Sequence, residues 1–197
     1  MNKIKLQAII VCFSAIIINS CSQLKEMATL TKCQFKLKSV ENISLAGVNI
    51  QNLTNFSQLN LIDAAKITSA VANGTLPLSF VLNVEAKNPN PVKASMNKLE
   101  WILFIDDIEM INGILNKKIE IAPSGGISVF PILMQMDLKK ILSGKSGDAL
   151  LNFGFNLAGA GNKPTRITLK AKPSIMIGNS TITYPGYISI NNEFTSK

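Results

Sequence analysis

Apolar and polar residues alternate along the segment from Leu76 to Lys87. Every second residue from Leu76 to Ala86 is apolar, while Ser79, Asn83 and Glu85 lie between them. Because successive side chains of a β-strand point to opposite faces, this period of two predicts a strand with one buried and one solvated face. The strand is predicted to end at residues 88–91, where two prolines remove backbone donors and two asparagines favour turns.

Strand patterns dominate the rest of the chain after Gly74. A hairpin is predicted around Asp106-Asp107, and one helix is predicted from Asn55 to Asn73, capped by Asn55 or Ser57. Short strands separated by turn residues indicate a β-sandwich or barrel. The other predicted elements are strands at Gln34–Ile50, Lys118–Ala122, Ile127–Met136, Ala149–Leu157, Arg166–Ala171, Ser174–Ile177 and Ile182–Ile190, and a short helix at Leu138–Leu142.

The N-terminus has the composition of a secretory signal peptide. A cationic start is followed by an apolar run from Leu6 to Ile18 and then by Ser20-Cys21, and the run is too short to span a bilayer permanently. The cysteine at its exit resembles the lipobox of bacterial lipoproteins, in which this thiol is lipidated and becomes the new N-terminus. We therefore predict a signal peptide at 1–20, lipidation of Cys21, a polar lipid-anchored tether at 21–32, a β-sandwich domain at 33–190 and a tail at 191–197.

The cysteines do not form a disulfide framework in this interpretation. Cys12 lies in the signal segment and Cys21 carries lipid, so Cys33 has no intrachain partner. Cys33 alternates with Phe35 and Leu37, which predicts a small buried residue at the start of a strand. A reactive or intermolecular thiol is the alternative.

The charge narrows the class of partner. The net charge is +8, but the chain has one Arg and one Trp, and nucleic-acid recognition favours Arg forks and aromatic platforms. We therefore expect no nucleic-acid partner. The excess of lysine either holds the domain near anionic headgroups or is ordinary surface charge.

Several motifs occur in a recognisable order. Phe80 to Val92 reads FVLNVEAKNPNPV, and it is followed by Trp101-Ile102-Leu103, Asn112-Gly113, IEIAPSGG at Ile119–Gly126 and an apolar strand ending at Asp137-Leu138. This order resembles the late embryogenesis abundant type 2 family, also called the water stress and hypersensitive response domain, and in particular its lipid-anchored members in Bacteroidota-type bacteria. Asn88, Pro89 and Asn90 are the sharpest element of the motif.

The resemblance implies a fold and a general role. It implies an all-β, immunoglobulin/fibronectin type III-like β-sandwich of about seven strands with one short helix. It implies no catalytic residues and a link to water stress, through protection of proteins or binding of apolar molecules.

The residues themselves argue against an enzyme. The chain contains no histidine, which excludes imidazole acid–base chemistry, Ser-His-Asp triads and His-containing zinc sites. The acidic residues Asp106, Asp107 and Glu109 could bind a cation or act as acid and base, but at a hairpin tip we expect solvated turn residues. Trp101 either flanks a cleft or lies in the core. We predict no catalytic residues, no metal and no cofactor.

The predicted strand Ile127–Met136 is apolar on both of its faces. Val129 and Leu133 lie on one face, while Pro131 favours an edge position because it cannot donate to a neighbouring strand. Such an edge accepts a partner strand or an acyl chain, and the alternative is an edge covered by the Asn55–Asn73 helix. The predicted apolar edge or ligand-contact residues on the other face are Phe130, Ile132, Met134 and Met136.

Together these observations predict a non-enzymatic outer-membrane lipoprotein that faces the periplasm. Ser22 suits outer-membrane sorting, and residues 23–26 lack the acidic run associated with surface display. The expected role is binding or scaffolding at the cell envelope, with stress protection. The expected partners are the membrane, through the N-terminal lipid, and an apolar ligand or an envelope protein. The alternative is a carrier of an apolar ligand or lipid in a cavity of the sandwich.

Overall fold

The computed structural model describes residues 25–51, 53, 58–141, 164–177 and 179–194. Three helices lie within these residues, namely α1 (25–30), α2 (Leu61–Ala72) and α3 (Leu138–Ile141). The strands are β1 (Gln34–Leu45), β2 (Val48–Asn49), β3 (Pro77–Asn88), β4 (Ala94–Met96), β5 (Lys98–Ile105), β6 (Ile108–Leu115), β7 (Ile119–Ile121), β8 (Gly126–Asp137), β9 (Thr165–Ile177), β10 (Ser180–Thr183) and β11 (Ile188–Phe194).

Two antiparallel sheets make up most of the fold. The first has the strand order β2-β1-β3-β8, and the second has the order β10-β9-β5-β6, with β11 also paired to β9. The strands β4 and β7 form a separate two-stranded ribbon. Because β1 lies close to β11 and β8 lies close to β6, the two sheets face each other as a sandwich.

The core lies between the two sheets. Alternate residues of each strand point inward, and one hydrophobic cluster joins both sheets. Burial of these side chains stabilises the fold by about 25 cal/mol for each Å² of apolar surface removed from water. The inward residues of β3 and β5 are Phe80, Leu82, Val84, Ala86, Leu99, Trp101, Leu103 and Ile105.

The all-β sandwich class predicted from the sequence is confirmed. The hairpin around Asp106-Asp107 is also present, as β5 and β6. The described residues contain eleven strands rather than about seven because β2, β4, β7 and β10 are short pairings of two to four residues. The strand predicted at Ala149–Leu157 lies outside the described residues.

The helix α2 begins later than its sequence pattern predicted. Its N-cap is Asn60, whose side chain accepts a hydrogen bond of 2.8 Å from the backbone of Asp63. The predicted caps Asn55 and Ser57 lie outside the described residues. The C-terminal end agrees with the prediction, since Asn73 is the C-cap.

The predicted domain boundaries need correction at both ends. Residues 25–30 of the predicted tether form α1, and Leu30 is 1% exposed within the core cluster, because its apolar side chain gains more from burial than from extended solvation. At the other end β11 continues to Phe194 by pairing with β9, so part of the predicted tail belongs to the sheet. The predicted signal peptide and Cys21 lie outside the described residues.

Candidate functional site

Asn88 and Asn90 form a buried hydrogen-bonded junction at the end of β3. The Asn88 Nδ2 atom donates to the carbonyl of Val92 at 2.9 Å and to that of Ile121 at 3.2 Å. Its Oδ1 atom accepts hydrogen bonds of 3.0 Å from the backbone and side-chain nitrogens of Asn90. An Asn amide has two donors and two acceptor positions, so Asn88 is fully satisfied within the protein.

The same junction holds the turn that leads into β8. The backbone nitrogen of Gly125 donates to the Asn88 carbonyl at 2.7 Å, and that of Ser124 donates to the Asn90 carbonyl at 2.8 Å. Ser124 and Gly125 both have positive φ angles, a conformation that glycine adopts at the lowest cost. The Asn88-Pro89-Asn90 motif therefore joins the β3–β4 loop, the end of β7 and the β7–β8 turn, and its polar atoms stabilise the fold.

The strand β8 is an edge strand, as Pro131 suggested. It pairs with β3 on one side and is the last strand of its sheet. The four residues predicted as an apolar edge or ligand contact face the core, because directly paired residues of antiparallel strands share a face and these four pair with residues on the inner face of β3. The side chains that are buried in the core as a result are Phe130, Ile132, Met134 and Met136. Contact of these side chains with a ligand inside the core stays a prediction.

The outer face of β8 carries the exposed apolar side chains instead. Ile127, Val129 and Leu133 are all exposed there, Leu133 to 56%. The predicted cover over this edge is wrong, because α2 packs beside β2 at the opposite edge of the sheet. None of the residues of α2 is buried.

The acidic residues Asp106 and Asp107 form the turn of the β5–β6 hairpin. Asp106 and Asp107 both have positive φ angles, which suits the tight turn of a two-residue hairpin. Asp106 Oδ1 accepts from the backbone nitrogen of Arg166, and Asp107 Oδ2 lies 2.9 Å from the Arg166 guanidinium. Glu109 lies apart from this pair and accepts a hydrogen bond of 3.4 Å from Asn112. Within the described part of the chain, no three His, Cys, Asp or Glu side chains are grouped to hold a metal ion.

Trp101 and Cys33 both pack against the core. Trp101 is buried, and its ring lies over Gly113 of the neighbouring strand, where a side chain would overlap it. The Cys33 thiol is half-buried and lies 3.6 Å from the carbonyl of Thr29. Burial raises the pKa of the Cys33 thiol, so less of the reactive thiolate is present at neutral pH.

A cluster of charged residues surrounds α1, and the sequence reasoning missed it. Ser95 donates a hydrogen bond to Glu26, and Lys93 lies 3.5 Å from the same carboxylate. Lys93 also pairs with Glu120 at 3.2 Å, and Lys118 pairs with Glu120 at 2.7 Å. Hydrogen bonds from Lys118 and then Lys93 lower the pKa of the Glu120 carboxyl, while the bond to Glu120 raises the pKa of Lys93.

A sequence signal for the docking of α1 existed. Met27 and Leu30 are three residues apart, which is the spacing of one helical face. Both side chains are buried in the structure. The segment was too short for this period to be distinguished from chance.

Two surface depressions lie away from the predicted ligand contacts. One, of about 700 Å³, lies between α2 and Ala46, and its lining includes Ile62, Ala65 and Lys66. The other, of about 570 Å³, lies beside Arg166 and is mostly polar. Both are open grooves, and neither is lined by the four inward residues of β8.

A membrane-spanning helix needs about 20 apolar residues. Among the described residues, no helix has the length and hydropathy to cross a membrane.

No family model matches this chain, and no curated protein matches it. Solved structures are similar to it, among them the following three. The crystal structure of a protein from Archaeoglobus fulgidus is 14% identical, covers 82% of this chain and 98% of that chain, and has a TM-score of 0.35. The solution structure of a protein from Arabidopsis thaliana is 15% identical, covers 62% of this chain and 72% of that chain, and has a TM-score of 0.37.

The third similar structure was also determined in solution. It is described as a late embryogenesis abundant (LEA) candidate, is 10% identical, covers 94% of this chain and 84% of that chain, and has a TM-score of 0.35. The sandwich fold of this chain rests on its own strand pairings.

Proposed function

We propose that this protein is a non-enzymatic lipoprotein with a late embryogenesis abundant type 2-like domain. In this proposal a lipid on Cys21 tethers the sandwich to the periplasmic leaflet of the outer membrane. There the domain binds or scaffolds other components of the cell envelope and contributes to stress protection.

The placement of Cys21 carries the proposal. It follows an apolar run of signal-peptide length. The packed domain follows closely, since the described part of α1 begins at residue 25. A cysteine between an export signal and the first residues of a folded domain is where a lipid anchor would hold that domain at a membrane.

The chemistry of the described residues supports a non-enzymatic role. The motif amide of Asn88 uses all of its hydrogen bonds within the fold. The carboxylates of Asp106 and Asp107 are engaged with Arg166 at an exposed turn. The chain also lacks histidine, so the usual general base at neutral pH is missing.

The proposed role in binding, scaffolding and stress protection is inferred from the order of the sequence motifs. The strand ending in Asn88-Pro89-Asn90, the hairpin and the IEIAPSGG segment follow one another as in the late embryogenesis abundant type 2 family. Because fold alone does not determine function, stress protection rests on this analogy.

Substitution of the proposed lipidation site tests the anchor. We expect Cys21→Ser to abolish incorporation of an alkyne-labelled fatty acid and to leave the signal segment uncleaved at this position, as read by intact-protein mass spectrometry. The matched control is Cys33→Ser, which removes the other cysteine of the mature chain and should leave both lipidation and membrane fractionation unchanged. Lipid incorporation into the Cys21→Ser protein, or a wild-type N-terminus at another residue, would refute the anchor.

A further inference from the structure

The position of α1 determines which part of the sandwich faces the proposed anchor. The α1 end of the molecule comprises α1, β4, β7 and the Asn88 junction. Cys21 lies four residues before Lys25, the first described residue of α1, so the two Cα atoms are at most about 14 Å apart in an extended chain. The opposite end, with α2 and α3, lies roughly 36 Å away along β3. The orientation of the α1 end toward the membrane depends on the lipid anchor proposed at Cys21.

The α1 helix is fixed to the body of the domain. Leu30 lies in the core cluster, and Met27 is also buried. Glu26 adds polar contacts to Ser95 and Lys93. A lipid at Cys21 would therefore hold the α1 end close to the bilayer surface, since only three residues separate Cys21 from the described part of α1.

The surface around α1 is basic. Two carboxylates, Glu26 and Glu120, lie among its lysines, and both are used in ion pairs with Lys93 or Lys118. Five lysines of this end, called the α1-end lysines, are Lys25, Lys32, Lys93, Lys117 and Lys118. Positive charge therefore exceeds negative charge among the described residues at this end.

The opposite end has the reverse charge balance. The β5–β6 turn belongs to it, because β5 begins next to β4 and ends at Asp106. Among its described residues, the acids are Asp63, Asp106, Asp107, Glu109, Asp137 and Glu193, and the bases are Lys66, Lys139, Lys140 and Arg166. Among the described residues, charge is therefore polarised along the axis from the α1 end to the opposite end.

We propose that the α1 end is a docking surface for anionic phospholipid headgroups. The α1-end lysines would lie within a Debye length of the bilayer, about 8–10 Å at moderate ionic strength, where each basic residue adds measurably to binding. The acidic end would point away from the membrane. The sandwich would then have one defined orientation relative to the membrane rather than rotate freely about its lipid anchor.

Vesicle binding by the unlipidated mature chain, residues 21–197, tests this surface without the anchor. All members of the core cluster lie within this chain, and circular dichroism of each sample checks that it is folded. We expect flotation with phosphatidylcholine vesicles that contain phosphatidylglycerol, little flotation with phosphatidylcholine alone, and weakening as salt is added. Lys25→Gln with Lys117→Gln should lower the partition coefficient at least about tenfold.

The matched control removes the same charge from the opposite end. Lys139→Gln with Lys140→Gln should change the partition coefficient less than about twofold. Equal weakening by both pairs would overturn the docking surface, because net charge alone would then explain binding. Absence of binding to phosphatidylglycerol vesicles would also overturn it. Neither result depends on lipidation, so failure of the anchor at Cys21 and failure of this surface can be distinguished.

Discussion

Four hydrogen bonds converge on the amide of Asn88, two donated and two accepted. The donors face the carbonyls of Val92 and Ile121, and the acceptor faces Asn90. Because Asn88 is fully buried, water cannot replace a missing partner. The side chain must therefore supply donors and an acceptor together, which only an amide of this length does here.

Replacing Asn88 with Asp is expected to destabilise the fold strongly. The carboxylate would face two carbonyl oxygens without a counter-ion, and the two hydrogen bonds that the amide donates would be lost. A buried, unpaired charge of this kind costs about 3 kcal/mol or more. Urea denaturation followed by circular dichroism measures this loss. The control Asn83→Asp changes the same residue type at the half-buried outer face of β3, where the substitution removes one hydrogen bond donated to Ser39. A loss at Asn88 no larger than that at Asn83 would contradict the role of the junction.

Gly113 is needed because Trp101 occupies the space above it. A Cβ atom at this position would overlap the indole ring, so Gly113→Ala should cost about 1–3 kcal/mol through overpacking. In combination with Trp101→Leu, the alanine should cost less than it does alone, because the ring is no longer there to be displaced. Thermal or urea unfolding of the two single variants and the double variant gives the coupling, and additive losses would exclude the overlap. Asn112→Ala, on the adjacent exposed position, is the control.

At the scale of the strand, β8 shows how register decides between two apolar faces. Its sequence offers apolar side chains on both sides, and nothing in the period of two says which side is buried. Pairing with β3 settles the question, since Leu82 faces Ile132 and Phe80 faces Met134. These pairings place the exposed apolar residues on the outer face instead.

Two neighbouring alanine substitutions in β8 should therefore have very different effects. Met134 is 0% exposed and Leu133 is 56% exposed. We expect Met134→Ala to cost about 2–5 kcal/mol because it leaves a cavity, and Leu133→Ala to stay within about 0.5 kcal/mol of wild type. Urea unfolding of both variants measures the difference. Similar losses, or a larger loss at Leu133, would mean that the outer face of β8 is covered.

Local pattern was sufficient to predict most of the elements. The alternation in β3, the turn residues of the β5–β6 hairpin and the Asn73 helix stop all appear in the structure within a few residues. The strand β9 was predicted as two strands because Pro173 interrupts it. The structure has one strand, since Pro173 lies between the part of β9 that pairs with β11 and the part that pairs with β10.

Long-range contacts account for what the pattern could not predict. The docking of α1 depends on a core to which its few apolar residues are added, and the role of Asn88 depends on loops from distant parts of the chain. The Asn88-Pro89-Asn90 motif could be recognised from sequence, but its function as a joint required the positions of Ile121 and Gly125. Cys21 was found by sequence alone, and its lipidation stays a prediction.

At the scale of the whole molecule, carboxylates on three surfaces are stabilised by neighbouring lysines. Glu85 accepts from Lys36 at 2.9 Å and lies 3.5 Å from Lys38, and Glu100 pairs with Lys98. The hydrogen bond from Lys36 is the main cause that lowers the pKa of the Glu85 carboxyl below its ordinary value of 4.5. The pKa of Glu100 is lowered by Lys98 and that of Glu120 by Lys118.

These shifts predict that acid destabilises the protein. A carboxyl whose pKa is lower in the folded state binds fewer protons there than in the unfolded chain, so its contribution is present above 4.5 and is lost as the pH falls through the lowered value. The free energy of unfolding, measured with urea from neutral pH to about pH 3, should therefore fall with pH. Because all three carboxylates are at the surface, salt should reduce the effect. Glu85→Gln should flatten the pH dependence of the free energy of unfolding more than the control Glu109→Gln does, since Glu109 has no lysine partner among the described ion pairs. Equal pH dependence in the two variants would exclude Glu85 as a source of acid sensitivity.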